Sequence, residues 1–437
     1  MTSATLPITT TPYWWEAAPP EHGLPADALG DCDVAIVGSG YTGLNAAITL
    51  AEAGGTRIAV IDRQRLGEGA SSRNGGQLGA ESKVDTAHLE KRYGRDVARE
   101  VEADFRAAMP FFLERFATLT GECHLQMTGS VVGAHCTADY RQMAAAVEGL
   151  PAAERGRYRL VPPDQLHREI RTDIYRGALV RDEGGLIHPA LYHRALRERA
   201  RGLGIALHSG VEVTGVAREG QGFRLHLGGG RAIRARQVIM GPNGYAGPVM
   251  PWLRRRLVPV ASYMIATAPL PAARMRELIP GNRAVADTKK VLYYYRLSPD
   301  GQRMLFGGRA SFTAIDEQRS AVGLRGFMRS VFPELGDVAI THSWLGNVAF
   351  CLDFLPHYGV HDGIHYAGGC NGSGIVMSTY LGHKVAERVL DGGQPARGLG
   401  RIPYPAVPGY TGNPWFLGIV GNLYRAGDML ARWRDRA

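Results

Sequence analysis

The hexapeptide Gly38-Ser39-Gly40-Tyr41-Thr42-Gly43 constrains this chain more than any other feature. It reads G-x-G-x-x-G. It stands between an apolar run at 34–37 and an amphipathic segment at 42–53. A second apolar run follows at 57–61, and Asp62 closes it, 19 residues after Gly43. Strand, helix and strand in that order begin a parallel sheet with its helix on one face. In such a unit Gly38 permits the tight turn, and Gly40 lets a pyrophosphate approach the backbone. Tyr41, Thr42 and Gly43 open the helix, whose first N–H groups and positive dipole end favour an anion. Ala47, a small residue one turn on, allows close helix–strand packing. Asp62 supplies an acceptor for the adenosine ribose hydroxyls. Arg63 beside it suits a 2′-phosphate, but Asp62 would repel one. The pattern implies an adenine dinucleotide.

The rest of the chain alternates in the same style, with an interruption. Leu89, Tyr93, Val97, Val101 and Phe105 recur every four residues and predict one long helix that Pro110 breaks or kinks. Residues 186–200 read as a helix with Pro189 in its first turn. Strands are expected at 204–207, 211–216, 223–227 and 237–240. Further strands at 257–268, 291–298 and 303–307 suggest a second, antiparallel sheet, with Gly301 in the turn between the last two. Residues 363–369 read as a strand and 374–390 as a helix. The expected class is α/β (α+β overall): a Rossmann-type dinucleotide domain, discontinuous in sequence, with a mainly antiparallel substrate domain. The expected partition is an arm at 1–30, a nucleotide domain at 31–90, 180–248 and 340–395, a helical and substrate-binding β domain at 91–179 and 249–339, and a tail at 396–437.

Composition removes several function classes. With 45% hydrophobic and 21% charged residues, the chain of 437 residues is neither disordered nor a coiled coil. The net charge of +9 comes almost entirely from dispersed arginines; only Lys83, Lys91, Lys289, Lys290 and Lys384 are lysines. Dispersion argues against nucleic-acid binding. Five cysteines without C-x-x-C spacing support neither disulfides nor a metal site, and fit a cytoplasmic protein. The N-terminus lacks the basic and apolar regions of a signal peptide.

Two further glycine-rich segments carry meaning. The small, polar loop Gly69-Ala70-Ser71-Ser72-Arg73-Asn74-Gly75-Gly76-Gln77 can lay backbone amides along an extended ligand. The turn Asn371-Gly372-Ser373-Gly374-Ile375 presents a second bare helix start, suited to negative charge developing on a ring. The dinucleotide fingerprint occurs once. A flavin enzyme reduced by NAD(P)H usually shows two, so electrons are not expected to exchange with a second bound nucleotide.

These segments, with 238–245, 293–301, Trp344-Leu345-Gly346-Asn347 and 355–359, resemble in order the FAD-dependent amine oxidoreductases of the D-amino-acid, sarcosine and glycine oxidase superfamily. Within it, the branch of gamma-glutamylputrescine oxidoreductases is most similar, over nearly the whole chain. The resemblance implies that Gly38, Gly40, Gly43 and Asp62 hold the ADP half of FAD. Ala70, Ser71, Ser72, Asn74, Gly75, Gly76 and Gln77 would run along the pyrophosphate and ring. Val213 would contact the adenine, with Asn243 and Gly244 nearby. Gly372, Ser373, Gly374 and Ile375 would face the flavin pyrimidine edge. Ser373 stands where the family often has histidine, which removes a cation. The positions of covalent attachment in some relatives correspond to Gly346 and to Arg73 or Asn74, with Cys351 five residues too late. Non-covalent FAD is therefore expected.

The reaction implied is hydride transfer from an amine carbon to flavin N5, giving an imine that water hydrolyses to an aldehyde or keto acid. The substrate would be gamma-glutamylputrescine-like or another amine, with O2, quinone or another carrier as acceptor. The alternatives are a D-amino-acid, sarcosine or glycine type oxidase, or a non-catalytic flavin-binding subunit. No Ser/His/Asp triad is expected. Alternate residues of Tyr293-Tyr294-Tyr295-Arg296 share a strand face. Either Tyr293 with Tyr295 or Tyr294 with Arg296 faces the flavin; the second pair would offer a hydrogen bond and a carboxylate partner. Trp344 is a weaker candidate. The aromatic tail from Asn413 reads as a terminal helix docked on its own domain, with a membrane surface as the other reading.

Overall fold

The structure, a computed structural model, describes residues 7–312 and 315–435. Cys32–Val37 pairs in parallel with Ile58–Ile61 on one side and Ala232–Met240 on the other. This is the centre of an eight-stranded sheet that continues to Ala206–His208 at one end. At the other end lie Ile364–Gly368 and His357–His361. The central segments, 34–37 and Ile58–Ile61 with the end of Ala232–Met240, are apolar because both faces are covered there. Val34 and Ile36 enter a core with Leu44, Ile48 and Val376 from two helices, Tyr41–Ala53 and Gly374–Leu390. Ala35 turns the other way, toward Phe223 and Leu225 of a hairpin strand and Leu253.

A second eight-stranded sheet runs Ile340–Phe350, Val258–Thr267, Met304–Gly308, Tyr293–Leu297, Ala284–Asp287, Ser130–Gly133, Ala178–Arg181 and Tyr158–Val161. Its neighbours are antiparallel except for Ala284–Asp287 with Ser130–Gly133. Gly301 makes the turn between Tyr293–Leu297 and Met304–Gly308 with φ 71°. Ile340–Phe350 pairs with Val258–Thr267 along its length, from Ile340 opposite Thr267 to Phe350 opposite Val258. By pairing, it and Ala178–Arg181 lie in this sheet, although position along the chain groups residues 340–350 and 180–181 with the nucleotide segments.

Two helical expectations change. The periodic segment after His88 is two helices, Thr86–Tyr93 and Arg95–Ala117, separated by Gly94 at φ 86°. Pro110 does not end the second one. The helix buries Val101, Ala108, Met109 and Phe112 on one face, and that packing outweighs one lost backbone bond. Helix Pro189–Gly202 begins at the expected proline, and the His188 ring accepts the Leu191 N–H at 3.2 Å. Burial pushes His188 down to about 3, which keeps that nitrogen free to accept.

The N-terminal arm is more ordered than its composition suggests. Thr9 bridges to His342, Leu24 bridges to His208, and Trp14 is fully buried. At the other end, helix Leu417–Arg434 lies against the second sheet's connections through Gly421, which meets Phe312. Among the described residues, no helix is long and apolar enough to cross a membrane.

Candidate active site

Two adjoining cavities meet where the first strand turns into its helix. The first is lined by Gly38, Ser39, Gly40, Tyr41, Thr42, Asp62, Arg63, Val213, Asn243 and Gly244, among others. Gly38 takes φ 106°, which a side chain would resist. Gly43 lies behind the wall: a Cβ there would come within 1.9 Å of the Gly38 carbonyl oxygen, so only glycine lets the helix start so close to the strand. Gly40 at the N-cap offers this helix no side chain; the Ser71 hydroxyl accepts the Tyr41 N–H at 3.0 Å, and the entry residues border the cavity. A helix start facing the cavity, a strand-end carboxylate and a neighbouring basic residue form a set of groups that fits the phosphates and ribose of an adenine dinucleotide.

Asp62 also does something the sequence did not indicate. Its Oδ2 accepts the Ser39 N–H at 2.8 Å and the Ser39 hydroxyl at 2.7 Å, and its Oδ1 accepts the Gln64 N–H at 2.9 Å. It therefore ties the glycine turn to the end of the second strand. His193, unrecognised in the sequence, supports the same turn from below by donating to the Ser39 carbonyl at 2.7 Å. Burial, reinforced by Arg197, pushes His193 down to about 3, so the ring is neutral.

The second cavity opens from the first and shares Tyr41, Ala70, Ser71, Asn243, Asn347 and Ser378 with it. It is the larger, about 330 Å³ against about 140 Å³, and so the one with room for a ring system beside a substrate. Ala70, Ser71, Asn74, Gly75 and Gln77 line one side, and Gly372, Ser373, Gly374 and Ile375 another. Ser72 and Gly76 do not line it. The Ser72 hydroxyl accepts the Trp15 indole N–H at 2.8 Å and donates to the Gly67 carbonyl, while the Gly76 carbonyl accepts from Arg296 at 2.8 Å.

Loop 70–77 is thus held from outside. Trp14, Trp15 and Trp344 donate to the Asn74 carbonyl, the Ser72 hydroxyl and the Arg73 carbonyl, at 2.8, 2.8 and 2.7 Å. Trp344 is fully buried and lines neither cavity, so its contact is with the loop. Arg296 needs a correction as well. Of the pair Tyr294 and Arg296, only Tyr294 reaches the cavity, with its hydroxyl 2.8 Å from that of Ser262. The Arg296 guanidinium donates to the carbonyls of Gly76 and Ile187 at 2.8 and 2.7 Å and lies 5.5 Å from the Trp14 ring centre. Pleating alone put the two residues on one face. The loop and the arm then close over the end of the strand, and Arg296 meets backbone oxygens instead of open space.

The cavity's cations are Arg73, from the loop already noted, and three residues that the sequence did not single out: Lys83, Arg181 and Arg309. Arg181 pairs with Glu81 at 2.7 Å. Arg73 donates to the Glu68 carbonyl at 2.7 Å. Lys83 donates to the Asn371 carbonyl, and burial, with Arg309 nearby, lowers it to about 8. Arg309 forms no ion pair among the described residues; it lies 4.9 Å from the Phe350 ring centre, and burial lowers its pKa. Spacing could not have found Lys83, Arg181 and Arg309, which sit on a loop and at strand ends that come together only through the second sheet.

Cys370 borders the second cavity, whereas Cys351 is buried against the Tyr404 hydroxyl at 3.4 Å and burial pushes its thiol up. Gly346 faces Arg73 and Ala70. Among the described residues, Cys351, Asp353 and His357 are the one grouping of metal-ligating types. It is turned on itself, with the His357 ring nitrogen 3.1 Å from the Asp353 carboxylate.

The chain matches the family model described as DAO, FAD dependent oxidoreductase, over residues 33–388. It is 31% identical to the probable oxidoreductase OrdL of Rhizobium meliloti (strain 1021), covering 93% of this chain and 94% of that protein. It is also 31% identical to gamma-glutamylputrescine oxidoreductase of Escherichia coli (strain K12), covering 92% and 93%. Among solved structures, glycine oxidase from Geobacillus kaustophilus superposes with a TM-score of 0.69 at 22% identity, covering 86% of this chain and all of that one, which shows a shared fold. The single fingerprint, the two joined cavities and these matches agree: the chain belongs to the DAO family of FAD-dependent oxidoreductases.

Proposed function

We propose that this protein oxidises the C–N bond of an amine whose far end carries an anionic group, such as a gamma-glutamylated diamine. The observation that carries this reading is Arg309 in the second cavity. It is a cation with no carboxylate partner among the described residues, on the same wall as the Tyr294 hydroxyl. Arginine in such a place matches the fork geometry of a carboxylate. The similarity to gamma-glutamylputrescine oxidoreductase supports the same substrate class.

In this reading residues of the first cavity hold the ADP half of FAD, and those of loop 70–77 and turn 372–375 flank its ring. FAD supplies the acceptor for the hydride leaving the amine carbon. The chain's own part is orientation: Tyr294 and Arg309 fix the substrate, and the buried walls keep the transfer dry. The imine formed on the substrate is then hydrolysed.

The test is anaerobic bleaching of the bound flavin by a panel of amines without NAD(P)H. Carboxylated diamine derivatives should reduce it faster than simple alkyl amines of the same length. Reduction by glycine or D-amino acids alone would favour the oxidase reading instead. Repeating turnover with O2 and with a quinone separates oxidase from dehydrogenase.

A further inference from the structure

Helix Leu417–Arg434 uses only one of its faces to dock. Gly421 meets Phe312, and Asp428 accepts the backbone N–H groups of Lys290 and Val291 at 3.0 and 2.9 Å. Asp435, just past the helix, accepts the Thr137 N–H at 2.7 Å and pairs with Arg176 at 2.6 Å. The opposite face is apolar and open. Ile419, Leu423, Met429, Leu430 and Trp433, with Trp415 before the helix, are each between 47% and 67% exposed. They are six of the thirteen large apolar side chains exposed among the described residues, so the exposure is concentrated here. At 3.6 residues per turn and 1.5 Å per residue the five helical positions, Ile419 to Trp433, fall on one stripe about 21 Å long, interrupted by Asn422.

Charge distinguishes this face from a simple sticky patch. Both acids of the segment, Asp428 and Asp435, are spent inward on the protein. The flanks of the stripe carry Arg425, which is exposed while one guanidinium nitrogen donates to the Ala310 carbonyl at 3.3 Å, half-buried Arg432 and exposed Arg434. The outer half is therefore apolar and cationic, with tryptophan near both ends, where ring and N–H suit a boundary between hydrocarbon and water. A second copy is a poor occupant. Antiparallel pairing of two such helices would set arginine against arginine with no acid on that face to separate them.

We infer that this helix lies in the interface of an anionic lipid bilayer, with the stripe in the acyl boundary and the arginines among the headgroups. It would lie on the membrane, since it is not apolar enough to cross one. The inference stands apart from the reading of the active site and survives if the substrate is another amine.

The test uses the full-length, FAD-loaded protein and sedimentation with phosphatidylcholine vesicles, with and without phosphatidylglycerol. Binding should require phosphatidylglycerol, fall with added salt, and shift the tryptophan emission to the blue. Leu423→Asp with Leu430→Asp should reduce binding more than tenfold. Arg425→Gln and Arg434→Gln should each reduce it about fivefold. The flavin spectrum and the amine-dependent bleaching of all variants should be unchanged, which excludes misfolding. Absence of binding to phosphatidylglycerol vesicles at low salt would overturn the inference. So would a concentration-dependent dimer that the paired aspartate substitutions abolish, because the stripe would then be a self-interface.

Discussion

The Lys83 ammonium donates to the carbonyl of Asn371 and stands beside Gly372, where a Cβ would lie 3.3 Å from Nζ. The cation thus sits at the turn 371–375, in which Ser373 replaces the histidine expected from the family resemblance. Lys83 restores a charge there from a different part of the chain. A positive charge near a ring that becomes anionic on reduction raises its potential. At 5–10 Å with an effective dielectric of 20, the interaction is about 1.7–3.3 kcal/mol. For a two-electron couple that is roughly 35–70 mV. Lys83→Met should lower the flavin midpoint potential by this amount at pH 7. Because burial brings Lys83 down to about 8, the charge is present below that pH and lost above it. The potentials of wild type and variant should therefore converge above about pH 9. A constant difference across pH would mean that the lysine acts only through packing.

Ser39 and Asp62 form a second testable pair. Asp62→Ala removes the acceptor expected for the ribose and also two hydrogen bonds that shape the glycine turn. Charge-assisted bonds contribute about 1.5–3 kcal/mol each, so FAD affinity should fall at least about tenfold. Ser39→Ala removes only the hydroxyl contact and should weaken binding less. Titration of apo-protein by flavin fluorescence separates the two. Equal affinity in Asp62→Ala and wild type would place the adenosine elsewhere.

Acid precipitation should release all the yellow colour into the supernatant. Gly346 occupies one attachment position, and the Cys351 thiol is buried against Tyr404. Cys370 is the cysteine that borders the cavity, so Cys370→Ala provides the control. Colour retained in the wild-type pellet but freed in Cys370→Ala would establish covalent attachment at that thiol.

What the sequence revealed was whatever closes over short distances. The turn 38–43, its flanking strands and helix, and the start at Pro189 follow from local spacing and burial. The fastening of loop 70–77 does not. Trp14, Trp15 and Trp344 reach it from 60, 57 and 271 residues away, and nothing in the loop's own composition announces them. The 23-residue helix containing Pro110 shows the same limit from the other side. A local rule against proline yielded to tertiary burial that local spacing cannot weigh. Candidate cations were missed for the same reason: Lys83 meets Asn371 across 288 positions.

The sharpest consequence concerns which arginine reads the substrate. Arg296 is fully enclosed, and burial lowers its pKa to about 9. Its hydrogen bonds go to the carbonyls of Gly76, Ile187 and Leu297. Arg296→Ala should leave these oxygens without partners and cost about 3 kcal/mol of stability. It should also weaken FAD binding by loosening loop 70–77, and affect carboxylated and alkyl amines equally. Arg309→Ala should do the opposite. It borders open space without an ion pair, so the fold and flavin spectrum should persist while KM for a carboxylated amine rises about tenfold to a hundredfold. Reduction by an alkyl amine should be nearly unchanged, because no anion is there to be lost. The comparison needs thermal denaturation, flavin titration and stopped-flow reduction of both variants with both amines. If Arg296→Ala alone discriminates between the amines, loop 70–77 opens in turnover and exposes that guanidinium. If neither does, the anion is bound by Arg181 or Lys83, and Arg181→Ala becomes the variant that raises KM.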